Sequence, residues 1–178
     1  SNNIKSLEVE KVQFRQNADG SNKRYLTGAV TTYTPSGFPE KIYRLEISSP
    51  LTTFTMSSIS SGNLTYNSSY KPLGEYIYSS SEQLVEQKKT GDISTSYVWD
   101  YNGIYPVATV TNAENENISY TGFETSEGGG WVLTSTTYNT SLAYTGSRSC
   151  NMSTGAQIGR YFTPAITSKY ILGYWTRG

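Results

Sequence analysis

The chain has 178 residues, with 14 Lys+Arg balanced by 14 Asp+Glu, a charged fraction of 16% and no histidine. Zero formal net charge removes the positive surplus on which nucleic-acid or anionic-membrane binding draws. The missing histidine excludes Ser-His-Asp triads, Cys-His dyads and His-ligated metal sites within the chain, and the single cysteine excludes an internal disulfide framework.

Taken in chain order, residues 4–10 are extended or briefly helical. Asp19-Gly20 is a turn before the Thr-, Tyr- and Val-rich run 25–33, and Pro35-Ser36-Gly37 is a turn before the run 41–47. Ser61-Gly62-Asn63 marks the next reversal, followed by a short strand at 75–78. The polar stretch 82–89 is the only other segment that tolerates a helix. Thr90-Gly91 and Asn102-Gly103 flank a strand at 94–101, and further strands are expected at 107–111 and 130–138. Short runs of β-formers separated by turn residues predict an all-β protein. No apolar stretch is long enough to cross a bilayer as a helix, so no transmembrane segment is expected.

In the run 95–101, Tyr97, Trp99 and Tyr101 alternate with Ser96, Val98 and Asp100. Large aromatics therefore share one face of the strand and small or polar residues the other, as suits a sheet covered on one side. Cross-strand aromatic pairs contribute about 0.2–1 kcal/mol each, and most of the 16 tyrosines are read as sheet packing. A repeat also emerges. Tyr76-Ile77-Tyr78-Ser79, with its turn and return strand, is followed by Tyr97-Val98-Trp99-Asp100 with Asn102-Gly103 and Pro106-Val107-Ala108. A looser relative runs from Thr31 through Pro35-Ser36-Gly37 to Tyr43.

These units resemble the tyrosine-aspartate repeats of RHS-type proteins. The stretch from Val98-Trp99-Asp100-Tyr101-Asn102-Gly103 to Ala108 is particularly similar to RHS-like surface proteins of Bacteroidetes. The resemblance covers residues 1–113 and is strongest from Lys71 onward. Two departures stand out: Ser79 replaces the repeat aspartate, and Glu82-Gln83 replaces the Gly-Arg of the turn. Family members wrap such hairpins into a β-shell, and two or three units cannot close one. Residues 1–113 are therefore expected to form an open sheet of antiparallel hairpins.

Residues 114–117 (Glu-Asn-Glu-Asn) read as a linker. Beyond them, Gly122-Phe123-Glu124, then Gly130-Trp131, then Ala143-Tyr144-Thr145-Gly146-Ser147-Arg148-Ser149 resemble the opening of a jelly-roll carbohydrate-binding module. Residues 118–178 are thus read as the N-terminal part of such a β-sandwich, since a jelly roll needs about eight strands. In that family the Glu of Gly-Phe-Glu helps hold a structural Ca²⁺ with backbone carbonyls of the following turn. The resemblance implies Glu124, Thr145 and Ser147 as calcium ligands; the alternative is that Glu124 is a solvated strand-end carboxylate. It also implies a glycan partner stacked on Trp131, Tyr174 and Trp175, because sugar C–H faces pack on flat rings. The alternative for these rings is core filling. Residues 170–178 read as the interior of a strand, so the chain is expected to be a fragment of a longer polypeptide or to be completed by another chain.

The three aspartates, Asp19, Asp92 and Asp100, and the dispersed glutamates mark no pair at the roughly 5–9.5 Å separation of glycosidase carboxylates. No enzyme is expected. Cys150 reads as a small buried hydrophobe, and the Asn-x-Ser/Thr matches at Asn63, Asn67, Asn117, Asn139 and Asn151 are assigned no role. The expected function is that of a non-enzymatic segment of a large exported bacterial surface protein, located extracellularly or at the cell surface. It would act in adhesion, carbohydrate binding or as a scaffold. The alternatives are the casing or spacer of a secreted toxin or enzyme carrier, and an accessory subunit bound to an outer-membrane secretion complex. The Bacteroidetes likeness implies export by the type IX route.

Overall fold

A computed structural model describes residues 6–163, 167 and 169–177. The chain is all-β, as the spacing of its turns predicts. Its strands are β1 (Glu10–Arg15), β2 (Arg24–Tyr33), β3 (Pro39–Leu45), β4 (Ser58–Ser60), β5 (Asn63–Thr65), β6 (Tyr70–Tyr78), β7 (Leu84–Lys89), β8 (Ser94–Asp100), β9 (Tyr105–Thr111), β10 (Val132–Thr134), β11 (Thr137–Asn139), β12 (Ser149–Asn151) and β13 (Gln157–Gly159). Seven of them form one sheet in the order β1-β2-β3-β6-β7-β8-β9, and three two-stranded sheets pair β4 with β5, β10 with β13 and β11 with β12.

Three segments differ from the sequence reading. Residues 82–89, which tolerate a helix, open with Glu82 at φ 66° and continue as β7; strand pairing overrides the weak local propensity. The stretch 130–138 is not one strand. Ser135, at φ 52°, breaks it into β10 and β11, which pair with different partners. Residues 170–177 carry no strand, while Gly178, and Ile4 and Lys5 of the first expected element, lie outside the described residues. Pro72 falls inside β6, where it cannot donate to a ladder; the register shifts between Ile42 and Tyr43, and Tyr43 faces Pro72 across that irregularity.

The chain divides into two compact units, one comprising residues up to 77 with 87–93, the other residues 78–86 with 94 onward. In the first, Val30, Leu45 and Tyr70 are buried, and Tyr43, Ile47, Leu51, Phe54, Leu64 and Tyr66 pack against them. Rings run in series across this core: Tyr25 lies 4.8 Å from Phe54, Phe54 6.0 Å from Tyr70, Tyr70 6.2 Å from Tyr66 and Tyr66 4.9 Å from Tyr43. The Tyr70 hydroxyl donates to Glu10 Oε1 at 2.8 Å, and Glu10 Oε2 accepts the Ser57 amide and hydroxyl at 2.6 and 2.7 Å. Burial, then the bond to Glu10, raises the Tyr70 phenol above its ordinary range.

In the second unit the covered face of β8 is the small one. Ser94, Ser96, Val98 and Asp100 are buried, while Tyr97 and Trp99 on the opposite face are half-buried. Small side chains let an irregular backbone approach a strand closely, and here residues 113–130 do so. Ser96 donates to the Ala113 carbonyl at 2.7 Å, and Ser94 donates to Glu86 Oε1 at 2.8 Å. Residues 114–117, expected as a linker, include a 3-10 turn (Asn115–Asn117) whose Asn115 amide donates to Glu86 Oε2 at 2.8 Å.

Candidate functional site

The second unit contains all the residues singled out for chemistry, so the site is built from its two hairpin turns outward. Ser79 and Asp100 occupy the same place in successive hairpins, at the end of the outgoing strand. Ser79 Oγ accepts the amides of Ser81 and Gln83, both at 3.2 Å, and donates to Gln83 Oε1 at 2.5 Å. Asp100 Oδ1 accepts the Tyr101 amide at 2.6 Å. The serine thus serves the turn that an aspartate serves in the next unit. Tyr101, Asn102 and Gly103 all have positive φ, at 57°, 59° and 72°, which Asn and Gly supply at low cost. A β-carbon on Gly103 would press on the end of the Gln83 side chain from the preceding turn, which would have to shift.

Asp100 has functions that a serine could not fill. It is 3% exposed, and its Oδ1 accepts the Thr125 hydroxyl as well as the Tyr101 amide. Glu127 Oε1 in turn accepts the Asn102 amide at 3.1 Å. The neighbouring Asp100 carboxylate comes first, with burial behind it, in holding the Glu127 carboxyl above its ordinary value. Asp100 and Glu127 thus serve the same turn, Asp100 accepting the Tyr101 amide and Glu127 the Asn102 amide. Sequence reading missed this pair because the partners are 27 positions apart and Glu127 sits in no motif.

Glu124 and Ser147 are brought together. The Ser147 amide donates to Glu124 Oε1 and Oε2 at 3.0 and 3.1 Å, its hydroxyl donates to Oε2 at 2.5 Å, and the Arg148 amide donates to Oε1 at 3.1 Å. The Ser147 hydroxyl bond, with the Arg148 and Ser147 amides and the Arg148 charge, holds the Glu124 carboxyl below the usual range against the opposing effect of burial. Gly146, at φ 71°, turns the backbone so that these amides converge. Both Glu124 oxygens thus accept hydrogens from the turn at Ser147 and Arg148, so the structure brings Glu124 and Ser147, two of the three residues expected around calcium, into direct contact.

The Arg148 guanidinium lies 4.4 Å from the Tyr138 ring centre, a cation–π contact, while its Nε and Nη2 are buried without a hydrogen-bond partner among the described residues. Arg160 donates through Nη1 to Ser119 Oγ and to the Gly130 carbonyl, the latter at 3.1 Å, and through Nη2 to the Glu116 carbonyl. Cys150 is half-buried, 3.9 Å from the Met152 sulfur, and burial raises its thiol.

Of the three candidate glycan-binding rings, Tyr174 and Trp175 are 74% and 78% exposed, whereas Trp131 is half-buried just before β10. Trp175 stacks on Tyr144, itself 70% exposed, with ring centres 4.3 Å apart and planes inclined by 19°. Tyr144 lies inside the Ala143–Ser149 motif, yet nothing local announces its partner. Among the described residues no ring contact joins Trp131 to Tyr174 or Trp175. In comparisons with protein-family models, curated proteins and solved structures, the chain matches none.

Proposed function

We propose that the chain is a non-enzymatic segment of an exported bacterial surface protein, in which RHS-like hairpins precede the opening of a carbohydrate-binding-module-like domain, and that it binds glycan through Tyr144, Tyr174 and Trp175. The observation that supports this reading is the near-parallel stack of Trp175 on Tyr144, both rings largely in water. A stacked pair presents broad, flat apolar faces of the kind onto which pyranose C–H groups pack, and leaving such rings exposed is costly unless something covers them. Trp131, half-buried, is assigned to the support of the β10 end. A glycan array probed with the full chain tests the reading. Binding that is lost in Trp175→Ala and Tyr144→Ala, with unchanged circular dichroism, supports it; a silent array, or binding indifferent to both variants, overturns it.

The second reading is an accessory subunit bound to an outer-membrane partner. It is favoured by the apolar run Ile171, Leu172, Tyr174 and Trp175, which is 67–98% exposed and belongs to no strand in the described residues. Recovery of the native protein in a stable complex whose contacts map to these four residues would replace the glycan reading.

A further inference from the structure

Charge is unevenly placed along the chain. Residues 128–178 contain Arg148, Arg160, Lys169 and Arg177 and no aspartate or glutamate, so all 14 acids precede Gly128. The zero net charge of the whole therefore conceals a basic C-terminal part, and the exposed stack of Trp175 on Tyr144 lies wholly inside it.

The surroundings of the four cations differ. Arg160 donates to Ser119 Oγ and to the Gly130 and Glu116 carbonyls, all neutral acceptors that leave its charge uncancelled. The Arg148 guanidinium lies on the Tyr138 ring, and Glu124, which accepts the Arg148 amide, offsets its charge. Lys169 is exposed, but its neighbour Tyr170 donates to Asn117 Oδ1 at 3.4 Å, which brings the adjacent Glu116 to that end. Arg177 is exposed, and among the described residues no acceptor or carboxylate engages it. It follows Trp175 by two residues, so its Cα lies within about 7.6 Å of that of the tryptophan, and its long side chain reaches the space around the ring.

We propose, resting on the glycan reading above, that the ligand of the Tyr144–Trp175 stack is an anionic glycan, one bearing carboxylate or sulfate groups, with Arg177 pairing with its charge. Ring stacking takes the C–H face of a sugar whatever its charge, so the stack alone selects no class. Its setting does. A positive surface draws anions and gives nothing to a neutral sugar. An exposed ion pair is weak, which makes this a preference of about two- to fivefold for each charge paired, and salt screens it. A nucleic acid would need a track of phosphate contacts. With Arg148 and Arg160 engaged within the fold, this part offers Lys169 and Arg177 as exposed cations, too few for such a track.

A glycan array probed with the full chain tests the proposal when oligogalacturonate is printed beside its methyl ester, sulfated oligogalactose beside the unsulfated chain, and a single-stranded oligonucleotide beside both. The expected result is binding to an acidic member about twofold or more above its neutral counterpart, lost in Trp175→Ala and brought to the neutral level in Arg177→Gln. The two pairs separate uronate from sulfate. Equal binding of acidic and neutral members, lost in Trp175→Ala, overturns this proposal and leaves the glycan reading standing. A silent array overturns both. An acidic preference that survives Trp175→Ala, or an oligonucleotide bound as well as the acidic glycans, means adhesion by charge alone and also overturns it. Salt titration of the wild type needs no variant: the preference is expected to shrink toward unity by about 0.5 M salt, and a preference indifferent to salt overturns the pairing with Arg177.

Discussion

The Tyr70 hydroxyl fills the space that a β-carbon on Gly28 would need, 2.5 Å away. Glycine on β2 is thus the condition for a buried tyrosine on β6, and the hydroxyl it admits reaches Glu10 on β1. One missing methyl joins three strands.

Gly28→Ala is expected to destabilise the protein by about 1–3 kcal/mol, the cost of overpacking a filled core. Tyr70→Phe, which leaves Glu10 Oε1 without this donor, is expected to cost about 1–3 kcal/mol. The double variant should be more stable than the sum of the two, with a coupling of about 0.5–3 kcal/mol. Urea unfolding of the four proteins measures it.

Glu86 is 5% exposed, and its two oxygens hold Ser94 on β8 and Asn115 in the turn that follows β9. In Glu86→Ala both the Ser94 hydroxyl and the Asn115 amide lose their acceptor, so a loss of about 1–3 kcal/mol is expected. Hydrogen exchange should show loosening at residue 115 and not at β2, which lies in the other compact unit.

Arg160 bridges Glu116, Ser119 and Gly130 through two nitrogens of one rigid fork. A lysine has one ammonium and cannot reproduce that spread. Arg160→Lys is therefore expected to destabilise the second unit nearly as much as Arg160→Ala, a result readable in thermal unfolding.

Glu124 and Glu127 lie on one loop and respond to pH in opposite directions. The depressed pKa of Glu124 means that its grip on Ser147 and Arg148 is present above the ordinary 4.5 and is lost as pH falls through the depressed value. Wild-type protein should lose order at residues 145–148 on acidification, followed by amide shifts, while Glu124→Gln should show weaker order there at pH 7 and little further change.

Much of the fold was legible along the chain because its signals are local. Asp19-Gly20, Ser61-Gly62, Thr90-Gly91 and Asn102-Gly103 each need a left-handed residue and announce a reversal. Runs such as β2 and β8 are rich in residues that suit a pleated sheet. The alternation of β8 was equally plain, yet which face would be covered was not. The aromatic face looked like the packing face, and the structure covers the serines instead, because residues 113–130 bring backbone, which only small side chains admit.

The candidate sites divide in the same way. Composition alone excluded histidine chemistry and disulfides, and the rings at 174 and 175 were visible as exposed-platform candidates. The stack of Trp175 on Tyr144, the seat of Glu124 on Ser147, and the bond from the Asn102 amide to Glu127 all join residues more than 20 positions apart. Sequence determined which short strands and turns could form, since backbone preference is set by each residue and its neighbours. Only the tertiary structure decided which donors meet which acceptors, since that depends on where folding brings distant segments and on how much water is excluded between them.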